Sequence, residues 1–600
     1  MSFMFAPYPY DDPHAINRPE LPANIAAALL VGNDAVVQAV ADKAMSLSGR
    51  KVLALDGHIG GEWGRFVEKL KKKLLDKGFN LKVIDISTCY KNPDQLDAML
   101  ADNLPLDKDI DPVLLFGKIF HGNLDSLFDP VKLERLKNSL ARGDKEVICV
   151  YGCGSALLKD ACGVTAYFDL TPQQTTLRVL AGKARPLGDQ DGRGNRHIFR
   201  RLYYYDYEIM ARHRQSLLQD GPLDFYVDSN QPDKLKALPA AAFRQTLAAL
   251  VRQPFRCKPV YLEGVWGGQY IKKLRHLPGD MKNCAWVFDM IPNEISILIK
   301  VGQVTLEVPF PTFFRAEAEA LMGTESVRRF GSLFPIRFNY DDTYNGSGNM
   351  SVQVHPPVDY ARKHFSEPFQ QDESYYVVET AGSRTYLGLR DDTNVEEFFA
   401  LIRKSETEHV PFDYEKYVNY FESKKGAQYL LPGGTLHSSG RNQVVLEIGS
   451  CTVGSYTFKM YDYLRIDLDG MPRPIHSKHG MNVLNTACRR TAIDGVLRPK
   501  PKILREGPGW KEELLGEHEK IFFSLRRLEF ERSIQDDTNG KFHVLVLVEG
   551  DEILVYSLDN PEHFYHQKYC DMVVVPAALG RYGILNLGNR PCKVTKTLLK

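Results

Sequence analysis

No stretch of this 600-residue chain is apolar enough to span a membrane, since none approaches the roughly 18 residues that a span requires. An excess of one charge is also missing. Lys and Arg total 76 against 75 Asp and Glu, a formal net charge of +1. That balance gives no electrostatic case for nucleic acid or an anionic membrane, so an anionic ligand must be drawn by a local cluster. The opening MSFMFAPYPYDDPHAINRPE lacks a basic start followed by an apolar stretch, which argues against a signal peptide. The ten cysteines are scattered, and only Cys149 and Cys153 form a close pair, within VICVYGCGSA. That segment reads as a buried strand and its exit turn, so the thiols are expected to be reduced and structural rather than disulfide or zinc-knuckle cysteines, with the cytoplasm as the default compartment. No low-complexity segment stands out.

What is present is a globular composition, 44% hydrophobic and 25% charged, in a chain too long for one core. Residues 25 to about 165 alternate strand and helix patterns: Lys51–Leu55, an amphipathic helix from Glu62 to Lys77, Leu81–Ile86, an apolar segment from Asp109 to Phe120, and Glu146–Tyr151. Strand, helix, strand with both faces apolar predicts a parallel sheet covered by helices. Residues 166 to 250 continue as Arg-rich helical stretches, including Leu202 to Leu218. From about 255 to 490, short alternating strands separated by Gly, Pro, Asn and Asp turns predict an all-β region. Its helical insertions are expected at Asn394–Arg403 and Phe412–Phe421. Leu497–Trp510, rich in Pro and charge, reads as a linker, and the strands of 520–600 read as a small antiparallel barrel or jelly roll. The expected domains are 1–250 (α/β), 251–500 and 501–600 (both β).

The middle region carries the chemistry. In Ser351-Val352-Gln353-Val354-His355-Pro356, residues two apart share one face of a strand, so Gln353 and His355 project together. Glu373 opens a second strand and His437 follows the turn Pro432-Gly433-Gly434. Two imidazoles, a carboxylate and an amide oxygen suit one divalent metal with a position left open: Zn²⁺, with Fe²⁺, Mn²⁺ and Co²⁺ as alternatives. A neutral amide ligand leaves the metal more Lewis-acidic than a third anion would. A lone strand histidine is otherwise a satisfied polar residue, and spacing alone does not join segments so distant in sequence.

SVQVHP, the segment around Glu373 and LPGGTLHSSG together resemble the type I phosphomannose isomerases, zinc enzymes of cupin fold. The likeness extends through Pro259–Gly268, Phe334–Phe338, Leu446–Ile448 and Tyr456–Arg465, covering roughly residues 257–600. The resemblance implies two cupin domains, the second without metal. It also implies one zinc per chain held by Gln353, His355, Glu373 and His437, and interconversion of mannose 6-phosphate and fructose 6-phosphate. Moving a proton between C1 and C2 requires a base, polarisation of the carbonyl and cations for the phosphate. Two positions depart from the family: Gln371 stands where a Lys is common, and Lys459 where an Arg is common. Lys keeps the charge but loses the bidentate fork.

Candidate catalytic residues are Lys459, Arg465 and Glu447. Arg465 reads equally as a surface ion pair with Asp462 or Asp467, and Glu447, on the apolar strand VVLEIG, as a structural salt bridge. His476 and His479 are read as structural or rim residues. Arg581 falls where the second half would place its ligand His. Near the N-terminus, Asp56-Gly57-His58-Ile59-Gly60-Gly61-Glu62 is a Gly-rich turn between strand and helix, similar to uridine-kinase-like P-loop domains with the Lys and Ser/Thr missing. It reads as a degenerate domain that binds a nucleotide or sugar phosphate or only mediates assembly. The expected partner is thus a small sugar phosphate. The alternatives are a sugar-binding protein without turnover and a bifunctional kinase–isomerase.

Overall fold

The structure, a computed structural model, describes residues 6–140, 146–190, 192–219 and 221–600. It is a mixed α/β molecule, and no helix among the described residues is long and apolar enough to cross a membrane. A seven-stranded sheet orders its strands Leu30–Val31, Lys236–Pro239, Phe225–Asp228, Val164–Asp169, Lys51–Gly57, Glu146–Tyr151 and Asn80–Asp85. The last five run parallel, while the first two are antiparallel additions at one edge. The sheet is therefore mixed rather than wholly parallel, and three of its strands lie in the stretch read from sequence as helical. The helix expected over Glu62–Lys77 runs from Gly64 to Leu75 and buries Phe66, Val67, Leu70 and Leu74, one apolar stripe, against the sheet. It stops where Gly78, at φ +81°, closes the last turn on the Leu75 carbonyl.

Residues 260–461 build two facing antiparallel sheets. One has six strands: Gln428–Leu431, Glu373–Thr380, Gln443–Ser450, Ile336–Asp342, Trp286–Met290 and Val260–Leu262. The other has five: Val418–Glu422, Arg384–Leu389, His437–Ser439, Val352–Val354 and Phe458–Tyr461. The helix expected at Asn394–Arg403 is present as Val395–Glu408, capped by the Asn394 side chain. Phe412–Phe421 is not helical. It holds a single 3-10 turn, Tyr414–Lys416, and then pairs as a strand with Arg384–Leu389. The linker expected at 497–510 is also partly ordered, since Lys502–Gly507 forms the edge strand of a further six-stranded sheet. That sheet and a four-stranded one share a core of Leu545, Val594, Ile553 and Ile584 within residues 502–599.

One continuous core ties these units together. It runs from Tyr226 and Phe243 beside the seven-stranded sheet, through Phe338 and Leu446, to Phe523 and Val574. The chain's start belongs to the middle unit. Ile16–Asn17 pairs parallel with Ser296–Val301, and Asp12 accepts a hydrogen bond from Tyr261 Oη at 2.5 Å. All ten cysteines are free thiols.

Candidate metal centre and cavity

The strand Val352–Val354 turns both valines into the core on its outer side, leaving Gln353 facing the opposite sheet. His437 pairs directly with Gln353 from the next strand. Glu373 reaches them from the facing six-stranded sheet. The Pro432-Gly433-Gly434 turn is fastened at both ends of the site: Gly433 N donates to Asp372 Oδ1 at 2.9 Å and Gly434 N to the His355 carbonyl at 2.8 Å. Gly434 sits at φ +90°, and a side chain at Gly433 would meet the Pro356 carbonyl at 2.8 Å, so the turn requires both glycines.

The ligand atoms of His355, Glu373 and His437 lie within 4.8 Å of one another, the one such grouping of three or more among the described residues. His355 Nε2 is 3.0 Å from Glu373 Oε1, and His437 Nε2 is 3.3 Å from Glu373 Oε2. Both rings are oriented from behind. His355 Nδ1 meets the Tyr456 carbonyl at 3.0 Å and His437 Nδ1 the Thr435 carbonyl at 2.9 Å. With Nδ1–H donated to a carbonyl, each Nε2 carries a lone pair toward the centre. Gln353 Nε2 is 3.3 Å from His437 Nε2, and its Oε1 accepts from Ser351 Oγ at 2.9 Å. Exchanging the amide atoms turns the oxygen toward His437, and the Ser351 hydroxyl can then accept instead. His355 Nε2 and Glu373 Oε2 are buried without hydrogen-bond partners. Buried polar atoms are rarely left so, and these two point at the same centre. The donor set and its unsatisfied atoms fit a divalent cation.

Further charged groups surround the centre. Arg337 Nη2 contacts Glu373 Oε1 at 2.5 Å and Glu447 Oε1 at 3.1 Å, holding two carboxylates that would otherwise repel. Burial, and then the charge of Glu373, raise the Glu447 carboxyl above its ordinary range, and the neighbouring Asp341 is raised by burial and by Glu447. Lys459 faces Gln353 across the strand pair. Burial, and then the neighbouring Arg473, bring its amine down to about 8, while Asp462 stands 3.6 Å away. Gln371 is fully buried. It accepts from Tyr456 N at 2.8 Å and donates to Glu373 Oε1 at 3.3 Å, so it braces the ligand strand.

Gln353, Glu373, Glu447, Arg337 and Lys459 all line one cavity of about 490 Å³. Arg465 does not line it. Its guanidinium is held by Asp462 and by the Asn349 carbonyl at 2.7 Å and lies over the Tyr463 ring. Four residues with a place in the site were not assigned one from sequence. Arg337 belongs to a strand whose inward residues Arg337, Asn339 and Asp341 are polar at period two, a signal present in the sequence. Arg473 bridges Asp462 and Asp467. Arg196 lines the cavity from the α/β unit. His476, read as structural or rim, also lines it, buried with both ring nitrogens unpartnered. His479 instead stacks on Phe458 and meets Tyr360 Oη at 2.8 Å. Arg581 pairs with Asp559 on the surface.

Asp56, at the end of Lys51–Gly57, commits its carboxylate to its neighbour's amide and to the loop that follows Glu146–Tyr151. Asp56 Oδ1 accepts from Gly57 N and Gly154 N, and Oδ2 from Ala156 N and faces His213 Nε2 at 2.8 Å. The Gly60 carbonyl takes a hydrogen bond from Arg178 at 2.6 Å.

Comparison with known proteins adds a relationship. The chain is similar to mannose-6-phosphate isomerases. It is 22% identical over 347 residues to mannose-6-phosphate isomerase ManA of Bacillus subtilis, covering 56% of this chain and 96% of that one. It is 26% identical over 234 residues to the mannose-6-phosphate isomerase of Streptococcus mutans, covering 38% and 68%. Among solved structures, the Bacillus subtilis mannose 6-phosphate isomerase aligns with a TM-score of 0.46 at 19% identity, covering 57% of this chain and 99% of that one. Residues 32–252 match a family described as "Domain of unknown function (DUF8485)".

Proposed function

We propose that this protein is a metal-dependent sugar-phosphate isomerase that interconverts mannose 6-phosphate and fructose 6-phosphate. The observation that carries the reading is the convergence of the unsatisfied His355 Nε2 and Glu373 Oε2, with Glu373 and Gln353 lining a cavity that Lys459 also lines. The isomerases to which the chain is similar support the choice of substrate. On this reading residues 251–500 form the metal-binding cupin domain, 501–600 a second cupin-like domain, and 1–250 an appended α/β domain.

Gln353, His355, Glu373 and His437 would hold the ion, and zinc suits two imidazoles with oxygen donors. When bound, it supplies Lewis acidity to the substrate's carbonyl oxygen. The chain's own residues do the rest. The Lys459 amine, brought toward neutrality by burial, takes the proton at one of C1 and C2 and returns it at the other. Arg337 pairs with Glu373 and holds it toward the centre while steadying Glu447 at the cavity wall. His476 offers its free ring nitrogens to a sugar hydroxyl. The apolar Trp266, Trp286 and Phe288 surround the cavity and limit water around the reacting carbons.

A coupled assay with mannose 6-phosphate, run with and without a chelator and with metal content measured on the same sample, tests this. Chelator-sensitive turnover with about one bound divalent ion per chain is the expected result. Binding of mannose 6-phosphate without any turnover would replace the isomerase reading with that of a sugar-phosphate-binding protein. A kinase activity finds no support in the Gly-rich turn, which lacks the Lys and the Ser or Thr of a P-loop.

A further inference from the structure

The cavity is not built by the metal-binding unit alone. Val113, Leu115, Phe116, Arg196 and Tyr203 line it from the α/β unit. These residues are held firmly. Arg200, one turn after Arg196 in the helix Asn195–Arg201, donates from Nε to the Phe116 carbonyl at 2.6 Å and also reaches the Pro105 carbonyl. Phe116 meets Phe458, the neighbour of Lys459, edge-on at 5.4 Å. Tyr203 Oη donates to Glu294 Oε1 of the middle unit at 2.5 Å. The wall is thus pinned to both units on either side of the Arg196 helix.

Four cationic side chains line the cavity: Arg196, Arg337, Lys459 and Arg473. Arg337 is committed to Glu373 and Glu447, Lys459 stands by Asp462, and Arg473 is committed to Asp462 and Asp467. Arg196 is exposed and has no hydrogen-bonding or ionic partner among the described residues. A phosphate dianion needs a cation whose charge is not already neutralised, and guanidinium offers it a bidentate fork.

We propose that the α/β unit completes the active site by supplying Arg196 as the residue that recognises the substrate's phosphate. This rests on the isomerase reading for the identity of the sugar phosphate. It assigns a role to a region that matches a family described as of unknown function. The same cavity then selects phosphorylated over free sugars through a residue outside the metal-binding sheets.

The test uses the full-length, metal-loaded protein with Arg196→Ala and Arg196→Lys variants, mannose 6-phosphate as substrate and inorganic phosphate as a competing probe. For Arg196→Ala, KM for mannose 6-phosphate should rise about tenfold or more with kcat within about twofold. The inhibition constant of inorganic phosphate should rise in parallel, and Arg196→Lys should recover part of both. Unchanged KM and unchanged phosphate inhibition, or a fall in kcat alone, would overturn the proposal while leaving the isomerase reading standing. Should the wild type show no turnover, calorimetric titration with mannose 6-phosphate decides. Binding that Arg196→Ala weakens about tenfold keeps the phosphate assignment and sinks the isomerase reading. Equal binding by both proteins, or none by the wild type, sinks the assignment.

Discussion

Gln353 and Lys459 are Cα partners on adjacent antiparallel strands, so a candidate metal ligand and the cavity's most perturbed amine project from one face of one sheet. The pairing is a property of register. A one-residue slip would turn either side chain into the core occupied by Val352 and Val354.

Lys459→Met removes the amine while keeping the length of the side chain. It should lower kcat by roughly 10²- to 10⁴-fold, with metal content unchanged. Arg465→Met should leave kcat within about threefold, because Arg465 is spent on Asp462 and Asn349 outside the cavity lining. Steady-state kinetics with metal analysis on both variants checks the contrast.

His355→Ala and Glu373→Gln each remove a donor from the converging set. Both should lose the divalent ion on gel filtration, together with about a thousandfold or more of activity. Elemental analysis of the eluted protein checks the first outcome, and added metal should not restore activity.

Arg337→Met strips the cation from two buried carboxylates. In the metal-free protein this should cost about 3–5 kcal/mol of unfolding free energy, read from denaturant titration. Pairing it with Glu447→Gln should return part of that loss, since one of the stranded charges is gone.

His476→Phe replaces a buried imidazole that has no partner for either nitrogen. Stability should hold or rise slightly, because two unsatisfied polar atoms disappear. The catalytic rate should fall if the ring nitrogens serve the substrate. Thermal melting and kcat measured together separate the two effects.

Buried histidines give the stability a pH-dependent part of known sign. Burial lowers His543 from its ordinary 6.5 to about 3, and His58 to about 4. Between those values and 6.5 the unfolded chain binds protons that the folded protein refuses. Each ring's own contribution is therefore full above about 6.5 and is lost as pH drops, at up to ~1.4 kcal/mol per pH unit, while buried carboxyls raised by burial, such as Glu367 at about 8 and Glu294 at about 7, contribute in the opposite sense. Melting temperatures of wild type and His543→Gln compared at pH 7.5, 6.0 and 5.0 check this: the gap between the two should shift in the variant's favour as pH falls.

The sequence made the candidate site more legible than the architecture around it. Gln353 and His355 share a face by simple alternation, and the glycine turn before His437 is readable because only glycine tolerates its geometry. The strands Val164–Asp169, Phe225–Asp228 and Lys236–Pro239 were not read. They are short and buried on both faces, so alternation is absent. Phe412–Phe421 spaces its aromatics in a way that suits either period, and pairing with Arg384–Leu389 decides for strand. Lys502–Gly507 carries the charge of a linker because it is an edge strand, where charge discourages further pairing. Arg337 lies 36 residues from Glu373 and Arg196 reaches the cavity from another unit, and neither relationship has a local signature.

The Asp56 carboxylate has a consequence for the folding of the α/β unit. A loop of converging amide donors commonly waits for an anion from solution, and its order then follows that anion's concentration. Here the amides are Gly154 N and Ala156 N, in the loop after Glu146–Tyr151, and the anion is the Asp56 carboxylate of the neighbouring strand, covalently part of the same chain. Its effective concentration is set by the backbone and not by the surroundings. That loop is therefore permanently loaded, and the join between the strands Lys51–Gly57 and Glu146–Tyr151 needs no anion from solution.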